Sequence, residues 1–126
     1  LPQNVVRHQA ITTMDWFPTL LEICQVTAPQ LELDGRNILP LINDPDTATP
    51  HKQFFFQWQQ NWAVREGDWK LIRKGGRQAN SPEIFSLHQL TGEFPEATDH
   101  AGEHPEIVKH LQQLYSEWAA DVFSGK

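Results

Sequence analysis

The spacing of apolar residues changes along the chain, and each change predicts a different element. Phe17, Leu20, Leu21 and Cys24 stand at i, i+3, i+4 and i+7, the pattern of one helix face. Asp15, just before this stripe, is expected to act as its N-cap, its carboxylate accepting a free backbone N–H of the first turn. Pro18 fits only in that first turn, where N–H groups have no intrahelical partner. The helix should end near Gln25, with Cys24 on the buried stripe as a small hydrophobe. Pro29, Pro40, Pro45 and Pro50, with Asp34-Gly35 and Asn43-Asp44-Pro45, are turn and breaker signals. They leave a crossing loop over 26–52 with a short helical turn around Ile38 to Ile42.

The period then becomes two. Over Gln53–Gln59, Phe54, Phe56 and Trp58 fall on one side of a strand and Phe55 on the other. Trp62–Arg65, Trp69–Arg73 and Ile84–Leu87 read as three further strands. Glu66-Gly67-Asp68 reads as a tight hairpin connection, and Gly75-Gly76 opens a loop through Pro82. Residues 89–104 are polar and carry Gly92, Pro95 and Gly102, so they read as a loop. Pro105 suits the first position of a helix, and Glu106 complements its dipole. Ile107, Val108, Leu111, Leu114, Tyr115, Trp118 and Val122 form the apolar stripe of that helix, which ends at Ser124-Gly125-Lys126. Such a stripe must be buried, and the sheet is the only surface large enough. The prediction is an α+β fold: an antiparallel sheet of about four strands with the carboxy-terminal helix packed across it. Residues 1–52 form a junction segment and residues 53–126 the subdomain.

Composition narrows the partners. Apolar residues make up 39% of the 126, so the core is modest, and five Trp, seven Phe and one Tyr supply much of it. A formal charge of −6 disfavours nucleic acid and anionic membranes, which attract clustered cations. The basic stretch Lys70 to Arg77 reads as a solvated strand end and loop. Cys24 has no second cysteine to pair with. No apolar run reaches the ~18 residues of a membrane span, and no leader pattern opens the chain. Leu1 in place of Met reads as a piece cut from a longer polypeptide.

Several phrases, taken in order, carry a resemblance. Asp15-Trp16-Phe17-Pro18-Thr19-Leu20-Leu21-Glu22-Ile23 resembles the D-x-x-P-T-L-L-x-L helix of sulfatases. Leu33-Asp34-Gly35-Arg36-Asn37-Ile38-Leu39-Pro40-Leu41-Ile42 resembles their D-G-x-S-L-x-P-L-L segment, with Asn37 where Ser is commoner. Arg65-Glu66-Gly67-Asp68-Trp69-Lys70-Leu71-Ile72 is similar to their R-x-G-x-W-K-L-I hairpin, and Glu83-Ile84-Phe85-Ser86-Leu87 stands where E-L-Y-D-L is usual. Gly92-Glu93, Asp99 and His104-Pro105-Glu106-Ile107 match the tail that leads into the last helix.

The resemblance implies a carboxy-terminal subdomain, an antiparallel sheet with a helix on it, beside an alkaline-phosphatase-like catalytic domain. It also implies calcium-dependent hydrolysis of sulfate esters by a formylglycine made in a C/S-x-P-x-R motif, in a periplasmic or secreted parent. That motif is missing: Cys24 is followed by Gln25, Val26, Thr27 and Ala28. No catalytic or metal residue is therefore assigned. Calcium and formylglycine are expected in the parent, and the piece alone should be inactive.

Other residues have their own alternatives. Asp15 as a general base yields to the cap. Among His8, His51, His88, His100, His104 and His110, a zinc site would need ligands at paired short spacings with a partner pair elsewhere. His100 and His104 are four apart, but Pro105 puts His104 at a helix boundary rather than on a helical face with His100, so no zinc site is expected. Phe54, Phe56, Trp58, Trp62 and Trp69 are expected mainly in the sheet–helix core. Trp58, Gln59, Asn61 and Trp62 are the candidates for a substrate cleft, because indole faces and amides suit sugar rings. Arg65 and Lys70 are expected to face one another across the ladder, with Glu66 or Asp68 relieving the like charge; a sulfated carbohydrate is the other reading. The upstream catalytic domain is the expected partner, with a homodimer as another cover for the first helix. The rival function is an independent carbohydrate-binding module with Trp residues displayed on the sheet.

Overall fold

Alternation builds the sheet. In the computed structural model, β1 (Gln53–Trp58), β2 (Asn61–Glu66), β3 (Trp69–Lys74) and β4 (Ile84–Gln89) form one four-stranded antiparallel sheet in chain order. The structure describes residues 2–27, 32–75 and 83–124; the loop expected from Gly76 to Pro82 and the last two residues lie outside them. The chain divides into two units, Leu1–Lys52 and Gln53–Lys126.

In the second unit the register aligns Phe55, Val64, Leu71 and Leu87 across the sheet. Because side chains alternate between faces, this row shares one face with Gln57, Trp62, Arg73 and Phe85. The helix α3 (Pro105–Phe123) covers that face. Leu111 of α3 closes a core with Val64, Leu71 and Leu87, all at most 1% exposed. Burying one such side chain contributes roughly 2 kcal/mol. Ile107, Val108, Leu114 and Tyr115 pack around it. Trp118 stacks on Phe55 with centroids 5.1 Å apart, and Tyr115 on Trp62 at 4.0 Å. Val122, the last residue of the expected stripe, is exposed instead. A 19-residue helix is about 28 Å long, while a six-residue strand spans only about 20 Å, so the final turn overhangs.

The tight connection is as expected, with Gly67 at φ +55°, a backbone state that costs glycine little. Gln59 takes a similar state, φ +53°, in the β1–β2 turn. Beyond β4, the Asp99 carboxylate accepts the backbone N–H groups of Leu87 (3.0 Å) and Ala101 (2.9 Å), which holds its pKa below the usual carboxyl value. That pins the segment leading into α3.

The first unit departs from the sequence reading. It contains a 3-10 turn (Thr13–Asp15), α1 (Trp16–Ile23) and α2 (Leu39–Asn43). The stripe of α1 faces outward: Phe17 and Leu20 are about half exposed, and Cys24 lies exposed just past the helix end. The buried residue of α1 is Thr19. Hydrogen bonds rather than apolar packing fix this helix. Thr19 Oγ1 donates to the Asp15 carbonyl (2.6 Å) and accepts from the Ile38 N–H (3.0 Å). At the other end, Gln25 N–H bonds Glu22 O and Val26 N–H bonds Leu21 O, with Gln25 at φ +54°. This is a Schellman termination. Arg7 donates to the carbonyls of Leu41 and Ile42, a cation placed where the carbonyls of α2 run out of partners. Ile38 and Leu41 form what apolar interior this unit has. No helix among the described residues is long and apolar enough to cross a membrane.

Candidate functional site

Asp15 holds the first unit together in a way its sequence position does not announce. It does precede α1, but its carboxylate turns away from the N–H groups of that helix. It accepts instead from Thr12 N–H (2.7 Å), Arg36 N–H (2.8 Å) and His51 Nε2 (2.7 Å). The expected N-cap is thus replaced by a buried junction of three chain segments. Gly35 explains how Arg36 comes so close: a Cβ there would fall within the Met14 carbonyl group. Burial would push the Asp15 pKa up, yet the two backbone donors and His51 outweigh it and hold it below 3.8. The side chain is fully buried, so its role is to join segments rather than meet a substrate.

The second unit has the more open chemistry. Phe56, Trp58, Asn61, Ala63, Lys70 and Ile72, with edges of Gln57 and Trp62, line a shallow depression of about 340 Å³. Alternation puts the six leading residues on the face opposite α3. Trp58 is 73% exposed and Phe56 53%, so neither belongs to the core where they were expected. Phe54 is buried on the same face, with the Arg65 guanidinium 5.6 Å from its ring centre.

The four cleft candidates separate. Trp58 and Asn61 are direct partners at the turn end of the β1–β2 hairpin, and Asn61 Oδ1 accepts the Gly75 N–H at 2.9 Å. Trp62 lines the depression, but its ring belongs to the Tyr115 stack on the other face. Gln59 sits in the turn and does not line it. Lys70 and Ile72, not among the candidates, do. Their signal is the register: two residues along from a displayed aromatic, and across the ladder from it, side chains share its face.

Arg65 and Lys70 are indeed cross-strand partners. Neither Glu66 nor Asp68 relieves them. Glu66 points to the α3 side, bonded to Gln53 Nε2 (2.8 Å) and His110 Nε2 (2.7 Å). Lys70 Nζ instead pairs with Glu96 at 2.8 Å, and Arg65 Nε donates to Gly67 O. The basic stretch is not wholly solvated either. Arg73 lies on the α3 side, paired with Glu83 at 2.7 Å and bonded to the Gln60 carbonyl.

The calcium and formylglycine that the resemblance implies do not fit these residues. Among the described residues no three His, Cys, Asp or Glu side chains converge, and Cys24 lacks the Pro and Arg of the modification motif.

No family model matches the chain. An uncharacterized sulfatase of the yeast Schizosaccharomyces pombe is 28% identical over 94% of this chain and 23% of its own length. A solved structure from work on metabolism of multiple glycosaminoglycans by Bacteroides thetaiotaomicron, designated "6S-sulf", matches with a TM-score of 0.59 at 21% identity. It covers 82% of this chain and 24% of that one, a likeness of fold. The chain spans about a quarter of the length of each of these proteins.

Proposed function

Because this chain is a relative of the sulfatases, we propose that it forms the carboxy-terminal subdomain of a sulfuric ester hydrolase. Its own task is to buttress the catalytic region and shape one wall of the cleft. The observation that carries the reading is kinship with a sulfatase over 94% of this chain but under a quarter of that protein. Ester cleavage, with the calcium and formylglycine the family uses, then belongs to polypeptide outside these residues. The outward stripe of α1, with Trp16, Phe17, Leu20 and Ile23 about half exposed, is the surface the catalytic region would cover. A sulfated carbohydrate is the favoured substrate, because Trp58 offers an exposed aromatic face beside Asn61. The glycosaminoglycan setting of the Bacteroides structure supports the same class.

The test uses p-nitrophenyl sulfate with the 126-residue chain and with the longer polypeptide that contains it. The longer protein should hydrolyse it and the chain alone should not. Trp58→Ala in the longer protein should raise KM for a sulfated oligosaccharide by about tenfold, with little change for the small aryl ester. Turnover by the purified chain alone would refute the proposal.

A further inference from the structure

Twelve strand residues are turned away from α3 by the alternation. Arg65, Lys70 and Lys74 among them are cationic, and not one is acidic. The chain as a whole carries −6, so this face opposes the charge of the rest. It also displays Trp58 and Phe56. A face that combines cations with exposed rings is matched to a ligand with negative charge and apolar faces. A sugar ring bearing a sulfate has both: axial C–H bonds that lie flat on an indole, and a charged ester group at the edge.

Lys70 adds a second observation. Its stem lines the depression, and its ammonium rests 2.8 Å from Glu96 Oε1. Glu96 comes from the segment after β4 and sits at φ +63°, a left-handed state unfavourable for a residue with a Cβ. Both side chains are partly open to solvent, and exposed ion pairs hold weakly. The Glu96 backbone is tied by its N–H to the Gln89 carbonyl (3.1 Å), so its carboxylate occupies the place of an external anion and only the side chain need swing aside to yield it.

Resting on the sulfatase reading above, we propose that this face recognises a sulfated sugar. Trp58 stacks on one ring of an oligosaccharide, and Lys70, which the register aligns with Phe54 rather than with Trp58, binds a sulfate further along it in exchange for Glu96. Lys70 is then a specificity-determining residue that selects charge, and Glu96 is its internal competitor.

The experiment is an NMR titration of the isotopically labelled 126-residue chain at low ionic strength, where screening is least. The probes are a chondroitin 6-sulfate tetrasaccharide, the unsulfated chondroitin tetrasaccharide and a neutral tetramer of N-acetylglucosamine. The Trp58 indole N–H and the Asn61 side-chain amide should shift with the sulfated probe. Its binding should be about tenfold tighter than that of the unsulfated one, and the neutral sugar should be weakest. Lys70→Met, which keeps the apolar stem, should remove the preference for sulfate. Trp58→Ala should weaken both charged probes. Glu96→Gln should tighten the sulfated probe several-fold, which a merely structural ion pair would not do. Unchanged Val64 and Leu111 amide signals establish that each variant is folded.

Equal binding of sulfated and unsulfated probes, or no gain in Glu96→Gln, would overturn the assignment. So would self-association through this face, seen by sedimentation, that excludes the sugar. If any of these occurs while the longer polypeptide still cleaves aryl sulfate, the face assignment falls and the sulfatase reading stands. Binding as described, without sulfatase activity in the longer protein, means the opposite: the sugar-binding face stands and the sulfatase reading falls.

Discussion

Asp15 and Gly35 show how much one residue can decide when its neighbours are backbone. Asp15 gathers the N–H groups of Thr12 and Arg36 and the ring of His51, which keeps its folded pKa below the ordinary 3.8. A depressed folded pKa means that its stabilisation is fully present above the unfolded value and is lost as pH falls through the folded one. The protection factor of the Ile38 amide, buried against Thr19, should therefore fall as pH drops through that range. Asp15→Asn should flatten this acid limb and cost about 1–3 kcal/mol near neutrality, since an amide has one acceptor oxygen for three donors. Gly35→Ala should cost a similar ~1–3 kcal/mol by overpacking, because the obstacle is the Met14 carbonyl and not a mobile side chain. Exchange at the same Ile38 amide reports it. In the sequence, Asp34-Gly35 reads as a generic turn; the close approach to Met14 appears only once the chain is folded.

At the scale of elements, the strands and α3 were readable because their period matches their burial. Trp69, Leu71, Leu87 and Leu111 lie where alternation and the helical stripe put them. α1 was readable as a helix but not in its orientation. A stripe states which residues are alike, not which side finds a partner. Here Thr19, between two polar contacts, is the buried position. The end of α1 invites a direct test. Gln25 holds the left-handed position that glycine fills without Cβ strain. Gln25→Gly should stabilise the first unit by about 0.5–1 kcal/mol, the strain relief exceeding the added chain entropy. Urea denaturation should show a raised midpoint; a lowered one would mean that the Gln25 side chain contributes more than its backbone state costs.

For the whole molecule, the two units differ in what holds them. The sheet unit has an apolar core closed by α3, whereas the first unit rests on Asp15 and a small interior of Ile38 and Leu41. The outward stripe of α1 leaves Trp16, Phe17, Leu20 and Ile23 partly in water, an apolar patch of the kind that marks an interaction surface. The isolated chain should therefore bind a hydrophobic dye or self-associate. The double change Phe17→Glu with Leu20→Glu should abolish this without lowering the urea midpoint. A wild-type monomer in sedimentation, with no dye bound, would contradict it.

The sequence alone determined the kind and order of the elements, the two-sided sheet and the resemblance to sulfatases. Those depend on local period and short phrases, which a chain carries before it folds. The tertiary structure alone decided that Phe56 and Trp58 face out while Trp62 stacks on Tyr115, that Glu96 rather than Glu66 takes Lys70, and that Asp15 joins three segments. Each of these is a contact between residues distant in the chain, and it exists only when burial and strand register have selected which neighbours meet.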